Sequence, residues 1–134
     1  MRVIGFNLTK ISIERKEKAP EKLQINQNIN IKDVAKEKIP ISNSEALKIE
    51  FNFFIVYSEN FAKLDFEGNI ILMPEKEEFK NFLKSWKDKK IPDQDRAPLF
   101  NFIMNKCNIK ALDLEDELGL PLHIPMPRVN TDNN

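Results

Sequence analysis

A chain of 134 residues with 41% hydrophobic and 31% charged residues is long enough for one domain with a real core. Its ten Phe, one Tyr and one Trp exclude a disordered chain. Lys plus Arg equals Asp plus Glu at 21 each, so no net field draws in nucleic acid or anionic lipid, and no nucleic-acid partner is expected.

The N-terminal MRVIGFNLTKISIER threads charge among its apolar residues and lacks the continuous apolar stretch of a signal peptide. Ile4, Phe6 and Leu8 fall on one parity, and Ile11 and Ile13 on the other. That pattern predicts a strand with a bulge or bend near Thr9–Lys10. RKEKAPEK follows as a charged turn with Pro20. Leu23, Ile25, Ile29 and Ile31 then share odd positions, a strand with one wet face. Asp33 to Glu45 reads as a polar connection containing Pro40.

Residues 46–57, ALKIEFNFFIVY, form the strongest strand signal. Leu47, Ile49, Phe51, Phe53, Ile55 and Tyr57 share one face, and Phe54 with Val56 makes the far end apolar on both. This predicts a central strand covered on both sides. Its run FFIVY is the longest uninterrupted apolar stretch and too short to cross a bilayer, so no membrane insertion is expected. Ser58-Glu59-Asn60 reads as a hairpin turn. The return strand passes through Phe61, Leu64 and Phe66, with a bulge expected at Gly68, into NIILM.

After Pro74 the period changes. Phe79, Phe82, Leu83 and Trp86 follow helical spacing, with glutamates at the start and lysines at the end as the helix dipole prefers. Ile91-Pro92 breaks that helix. A second one carries Pro98 in its first turn and Phe100, Ile103, Met104 and Cys107 on its apolar side. Asp113 is expected to cap a short separate helix, LEDEL, stopped by Gly119. Next comes GLPLHIPMPRV (119–129), an apolar strap that its three prolines keep out of a helix. Strands followed by helices imply an α+β fold, a four-stranded antiparallel sheet with helices packed on one face. One domain is expected over residues 1–130, with 131–134 a disordered tail.

Groups that carry chemistry are scarce. One histidine, His123, excludes a multi-imidazole zinc site, and three scattered glycines exclude a phosphate-binding loop. A Cys107–His123 dyad is conceivable, but Cys107 sits at an apolar helical position, where an inert buried thiol is the commoner role. As the only cysteine it cannot form an internal disulfide, which suits a reducing cytoplasm. Glu115-Asp116-Glu117 reads as a solvated face before a metal site, and Trp86 as a core residue before a base-stacking platform. No catalytic residue, metal or cofactor is assigned, and an enzyme is not expected.

The order of elements resembles the SecB export chaperone fold. TKISIERKEKAP (9–20) is similar to the end of the family's first strand and the turn after it. LKIEFNFFIVYSENFAKLDFEGNIILM (47–73) resembles its central hairpin, with a glycine before the final strand. LFNFIMNKCNIKALDLEDELGLPLHIPMPRV (99–129) resembles its main helix and proline-containing extended segment.

The resemblance implies an ATP-independent holdase that binds unfolded or precursor polypeptides, keeping them competent for export. It places a client groove along Phe51, Phe53, Ile55 and Tyr57 of the central strand and Leu120, Leu122, Ile124 and Met126 of the strap. It also implies a homodimer or homotetramer, with Phe100, Ile103, Met104 and Cys107 as the interface. Read from the residues alone, the strap either borders that groove or closes the core against the helices. Two departures stand out: the family's further helix after the strap is absent from this sequence, and the balanced charge differs from the acidic character that aids docking to the SecA motor. SecA docking is therefore doubtful. Alternatives are an interaction module dedicated to one partner, such as an antitoxin, and a small-ligand-binding protein.

Overall fold

The computed structural model describes residues 2–40 and 44–130; the expected tail, 131–134, lies outside the described residues. The chain forms β1 (Val3–Arg15), β2 (Ile25–Ile39), β3 (Ser44–Tyr57), a 3-10 turn (Ser58–Asn60), β4 (Ala62–Leu72), α1 (Lys76–Trp86) and α2 (Asp93–Glu117). The strands make one antiparallel sheet in the order β1-β4-β3-β2, so the architecture is α+β with sheet first and helices after.

Both outer strands carry a bulge at the same level of the sheet. On β1, Leu8 pairs with Gly68 and Lys10 with Glu67, leaving Thr9 as the extra residue. On β2, Ile31 pairs with Phe51 and Asp33 with Glu50, leaving Lys32 extra. The β1 bulge resets the apolar parity as its sequence pattern predicts. The β2 bulge does the same, which the pattern did not reveal: Val34 is buried one register later, and β2 continues to Ile39 where a polar connection was expected. Gly68, in turn, is not a bulge of its own strand. A Cβ there would collide with the carbonyl oxygen of Asn7 and lie 2.9 Å from the Phe51 ring, so glycine lets the bulged strand and that ring close onto β4.

The charged segment after β1 is not a tight turn, because β1 and β2 are opposite edges of the sheet. It crosses the sheet's end, held to the β3–β4 turn. Lys16 N donates to Phe61 O (2.8 Å), Ser58 N to Gln24 O (2.8 Å), and Gln24 N to Ser58 Oγ (2.9 Å).

Odd residues of β3 from Leu47 to Tyr57 are wholly buried, as are Leu64, Phe66, Ile70 and Leu72 of β4. The Phe53 and Phe66 rings stack at 5.8 Å, and Phe6 stacks on Phe51 while meeting Phe102 of α2 edge-on. The opposite face is half-exposed, not covered as expected: Phe54 and Val56 stand among Asn52, Asp65 and Glu67. Helix α2 lies on the buried face, and its buried residues step by four: Asp95, Leu99, Ile103, Cys107, Ala111 and Glu115. A row of that step is inclined about 26° to the helix axis, so a long helix follows a twisted sheet along it. The helix continues unbroken through the exposed Asp113, so no separate helix begins there, and Pro98 lies in the second turn. Asp95 starts the row with its carboxyl pK raised, first by burial and then by the neighbouring Glu78.

Gly68→Ala is expected to cost about 1–3 kcal/mol, read from the urea midpoint, through forced displacement of the Phe51 ring and the β1 backbone. Gly5→Ala, whose added Cβ meets Ile71 at 3.4 Å, is expected to change stability by less than about 1 kcal/mol.

Candidate functional site

The strap is held by a polar cluster at the C-terminal end of α2. The i+4 row brings Glu115 to a position with no exposure at all, and an ionised carboxylate there requires donors. It finds them in His123. The His123 backbone N–H donates to Glu115 Oε1 (2.9 Å), and His123 Nδ1 lies 2.9 and 2.7 Å from the two carboxylate oxygens. His123 Nε2 is 2.8 Å from Asn108 Oδ1, which also accepts from Gln27 Nε2 of β2 at 3.5 Å. Nδ1 thus faces the carboxylate and Nε2 faces an amide oxygen, so both ring nitrogens are engaged. The Glu115 and His123 side chains that meet here are 0% and 1% exposed.

Three further contacts complete the latch. Gly119 takes φ +66, the left-handed turn after the helix, and Leu120 N donates back to Glu115 O at 2.8 Å. Arg15 of β1 donates through Nη1 to Leu118 O at 2.7 Å while its guanidinium covers Phe61. The Tyr57 hydroxyl, at the end of β3, donates to Pro121 O. Burial, and then the charge and hydrogen bonding of Glu115, push the Tyr57 phenol above its usual range.

The structure divides the expected client residues. Phe51, Phe53, Ile55 and Tyr57 are wholly buried beneath the chain's own helices, so the β3 half of the expected groove is core. Leu120 is buried as well, as the seat of the strap. Leu122 and Ile124 are half-buried, and Met126 is 56% exposed. Of the expected interface residues, Ile103 and Cys107 lie in the buried row and face the sheet. Phe100 and Met104 are half-buried and look toward the β2 edge. There they line a hollow of about 350 Å3 with Gln27, Asn28 and Ile29. A second hollow of about 250 Å3 continues it through Ile29, Ile31, Phe100 and Trp86.

A trough thus runs along β2 from the strap end, linked to the latch through the Gln27–Asn108 contact. The β2 backbone beside it, INQNINI (25–31), has no charge, no proline and no bulge, and it pairs only with β3. The Ile29 amide is met by the side-chain oxygen of its neighbour Asn28, at 2.9 Å. Such an edge is open to a further extended chain.

The Cys107–His123 dyad does not form, because both His123 nitrogens are engaged by Glu115 and Asn108. Burial pushes the Cys107 thiol up to about 12. Among the described residues no cluster of three His, Cys, Asp or Glu side chains is placed to hold a metal, and no helix is long and apolar enough to cross a membrane. Glu115 is the residue that reasoning from charge runs missed. The signal was its place four residues after Ala111 on the buried row, with the lone histidine eight residues on.

No protein-family profile and no curated protein matches the sequence. Among solved structures, the fold is similar to the Mycobacterium tuberculosis Rv1957 SecB-like chaperone, determined in complex with a ChAD peptide from the Rv1956 HigA1 antitoxin. The TM-score is 0.55 at 14% identity, over 96% of this chain and 89% of that one. The chain has the SecB-like fold.

His123→Ala leaves the buried Glu115 carboxyl without its ring partner and is expected to cost about 3 kcal/mol or more. Glu115→Gln together with His123→Ala is expected to recover part of that loss, read from urea midpoints. A second expectation concerns alkaline pH. Cys107 and Tyr57 are both held neutral in the folded chain, and both ionise more readily when unfolded. The Cys107 contribution is full below the ordinary thiol value of 9.0 and is lost as the pH rises through about 12, and that of Tyr57 is full below the ordinary phenol value of 10.0 and is lost at higher pH still. The urea midpoint should fall from about pH 9 toward about pH 12, less steeply in Cys107→Ala/Tyr57→Phe.

Proposed function

We propose that this protein is a non-catalytic chaperone that binds extended segments of other polypeptides along the strap and the β2-side trough. The observation that carries this reading is the strap. Residues 119–123 are latched to α2 through the buried Glu115–His123 contact, while residues 125–129 are exposed, with Met126 largely in water. A segment placed only to close the core would not leave its apolar end outside it. Prolines 121, 125 and 127 lower the entropy lost when that end is covered. Met126 and Met104 adapt to varied side chains, which suits partners of differing sequence. The SecB-like fold supports the same reading.

The finer form is an ATP-independent holdase in the cytoplasm, acting on unfolded or precursor chains for export and assembled as a homodimer or homotetramer. The balanced charge of 21 acidic and 21 basic residues favours a route other than an acidic docking face for SecA. A second reading is a chaperone dedicated to one partner. It is favoured by the antitoxin peptide in the Rv1957 complex.

The two separate experimentally. A general holdase suppresses aggregation of a thermally unfolded enzyme at low molar excess, and Leu122→Asp/Met126→Asp abolishes suppression with the urea midpoint held within about 1 kcal/mol. A dedicated chaperone gives no suppression and one stoichiometric partner. Neither suppression nor any peptide binding would refute both. Molar mass in solution, with and without the unfolded enzyme, tests the assembly.

A further inference from the structure

A further hollow beside β2 is more apolar than the two that make the trough, and its lysines, unlike Arg96 of the second hollow, which pairs with Asp93, make no ion pair among the described residues. It has a volume of about 630 Å3 and lies where α1 packs against β2 and the end of the sheet. Its apolar lining comes from Phe79 and Leu83 of α1 with Met73 and Pro74. Around that lining stand Lys36, Lys76 and Lys80, against a single acid, Glu45. None of these three lysines makes an ion pair among the described residues, whereas Lys10, Lys32, Lys48 and Lys110 each do. The Lys36 ammonium is held 5.7 Å from the centre of the Phe79 ring, over the apolar surface. In a chain of zero net charge this is a local positive excess around a greasy floor, three lysines against the one carboxylate of Glu45.

We propose that this hollow is a second polypeptide subsite, selective for an acidic apolar segment. One or two large apolar side chains rest on Phe79 and Leu83, and flanking Asp or Glu carboxylates meet the three lysines. The assignment rests on the polypeptide-binding reading above and adds a charge preference to it. Two features favour a peptide over a free fatty acid. The hollow is open along one side, where an alkyl chain would stay half in water. It also shares β2 with the trough: from Gln27 to Lys36 the strand spans roughly 30 Å, so one extended segment of about ten residues reaches from the strap end to the lysines.

The test uses three labelled ten-residue peptides with the same Leu and Phe positions and Glu, Gln or Lys between them, titrated by fluorescence anisotropy at low and high salt. The Glu peptide is expected to bind about tenfold tighter than the Lys peptide at low salt, with the gap closing at high salt. Lys76→Glu/Lys80→Glu should remove the preference while leaving the Gln peptide unchanged. Both positions are exposed, and a glutamate in the first turn of α1 suits the helix dipole. Lys36→Gln, on a different element, should weaken the Glu peptide alone. Equal affinities for all three peptides, or a preference that survives Lys76→Glu/Lys80→Glu, would overturn the subsite and leave the strap reading intact. Laurate binding that is lost in that variant, with the Glu peptide unaffected, would assign the hollow to an amphiphile and overturn it too. Failure of every peptide to bind would remove the polypeptide-binding reading itself.

Discussion

A carboxylate with no access to water must be given donors, and the donors for Glu115 come from the strap. This requirement decides how the chain ends its folded part. Residues 119–123 double back over the last turn of α2 because the His123 ring and amide both have to reach one buried carboxylate. The orientation of the strap, the position of Tyr57 beneath Pro121 and the link from Asn108 to β2 all follow from that meeting. A buried polar pair such as Glu115–His123 is a weak source of net stability compared with apolar residues of the same volume. Its effect here is directional: it selects one path for a proline-rich segment that has no sheet partner.

The same economy governs the sheet margins. Long edge strands invite pairing with other chains, and bulges limit that by twisting the edge away. Here β1 is interrupted twice, near Ile4 and at Thr9, while β2 is interrupted only at Lys32. The stretch left smooth, 25–31, is uncharged and borders half-buried Ile29, Phe100 and Met104. The smooth edge and the trough therefore lie along the β2 margin, with the latch reaching it through Asn108 and Gln27, while the β1 margin has a more broken edge. That asymmetry is what an extended partner would read.

Much of the fold was legible from side-chain period. The alternation in 46–57 and the switch of parity at Thr9 identify β3 and the β1 bulge, because a strand must keep its apolar residues on one face. The helical spacing of Phe79, Phe82, Leu83 and Trp86 identifies α1 in the same way. Misreadings arose where period was interrupted by something nonlocal. A bulge at Lys32 disguised the second half of β2 as a connection, and Asp113 looked like a cap because its carboxylate is indistinguishable in sequence from any exposed one. The candidate site suffered most. Apolar residues on β3 and along α2 carry no mark that says whether they meet their own chain or a foreign one, and Phe51, Phe53, Ile55, Tyr57, Ile103 and Cys107 meet their own.

What the sequence by itself determined was local: strand and helix identity, the β3–β4 turn, a proline-stiffened apolar strap, and the scarcity of groups able to carry out catalysis. Each follows from backbone preference and spacing within a few residues. What only the tertiary structure decided was partnership over distance. The strand order puts β1 and β2 on opposite edges, and the latch joins Glu115 to His123 and Tyr57 to Pro121. Lys36, Lys76 and Lys80 come together around one apolar hollow from a strand and a helix forty residues apart in sequence. Burial and charge pairing depend on which surfaces meet, and no pattern confined to one segment encodes that.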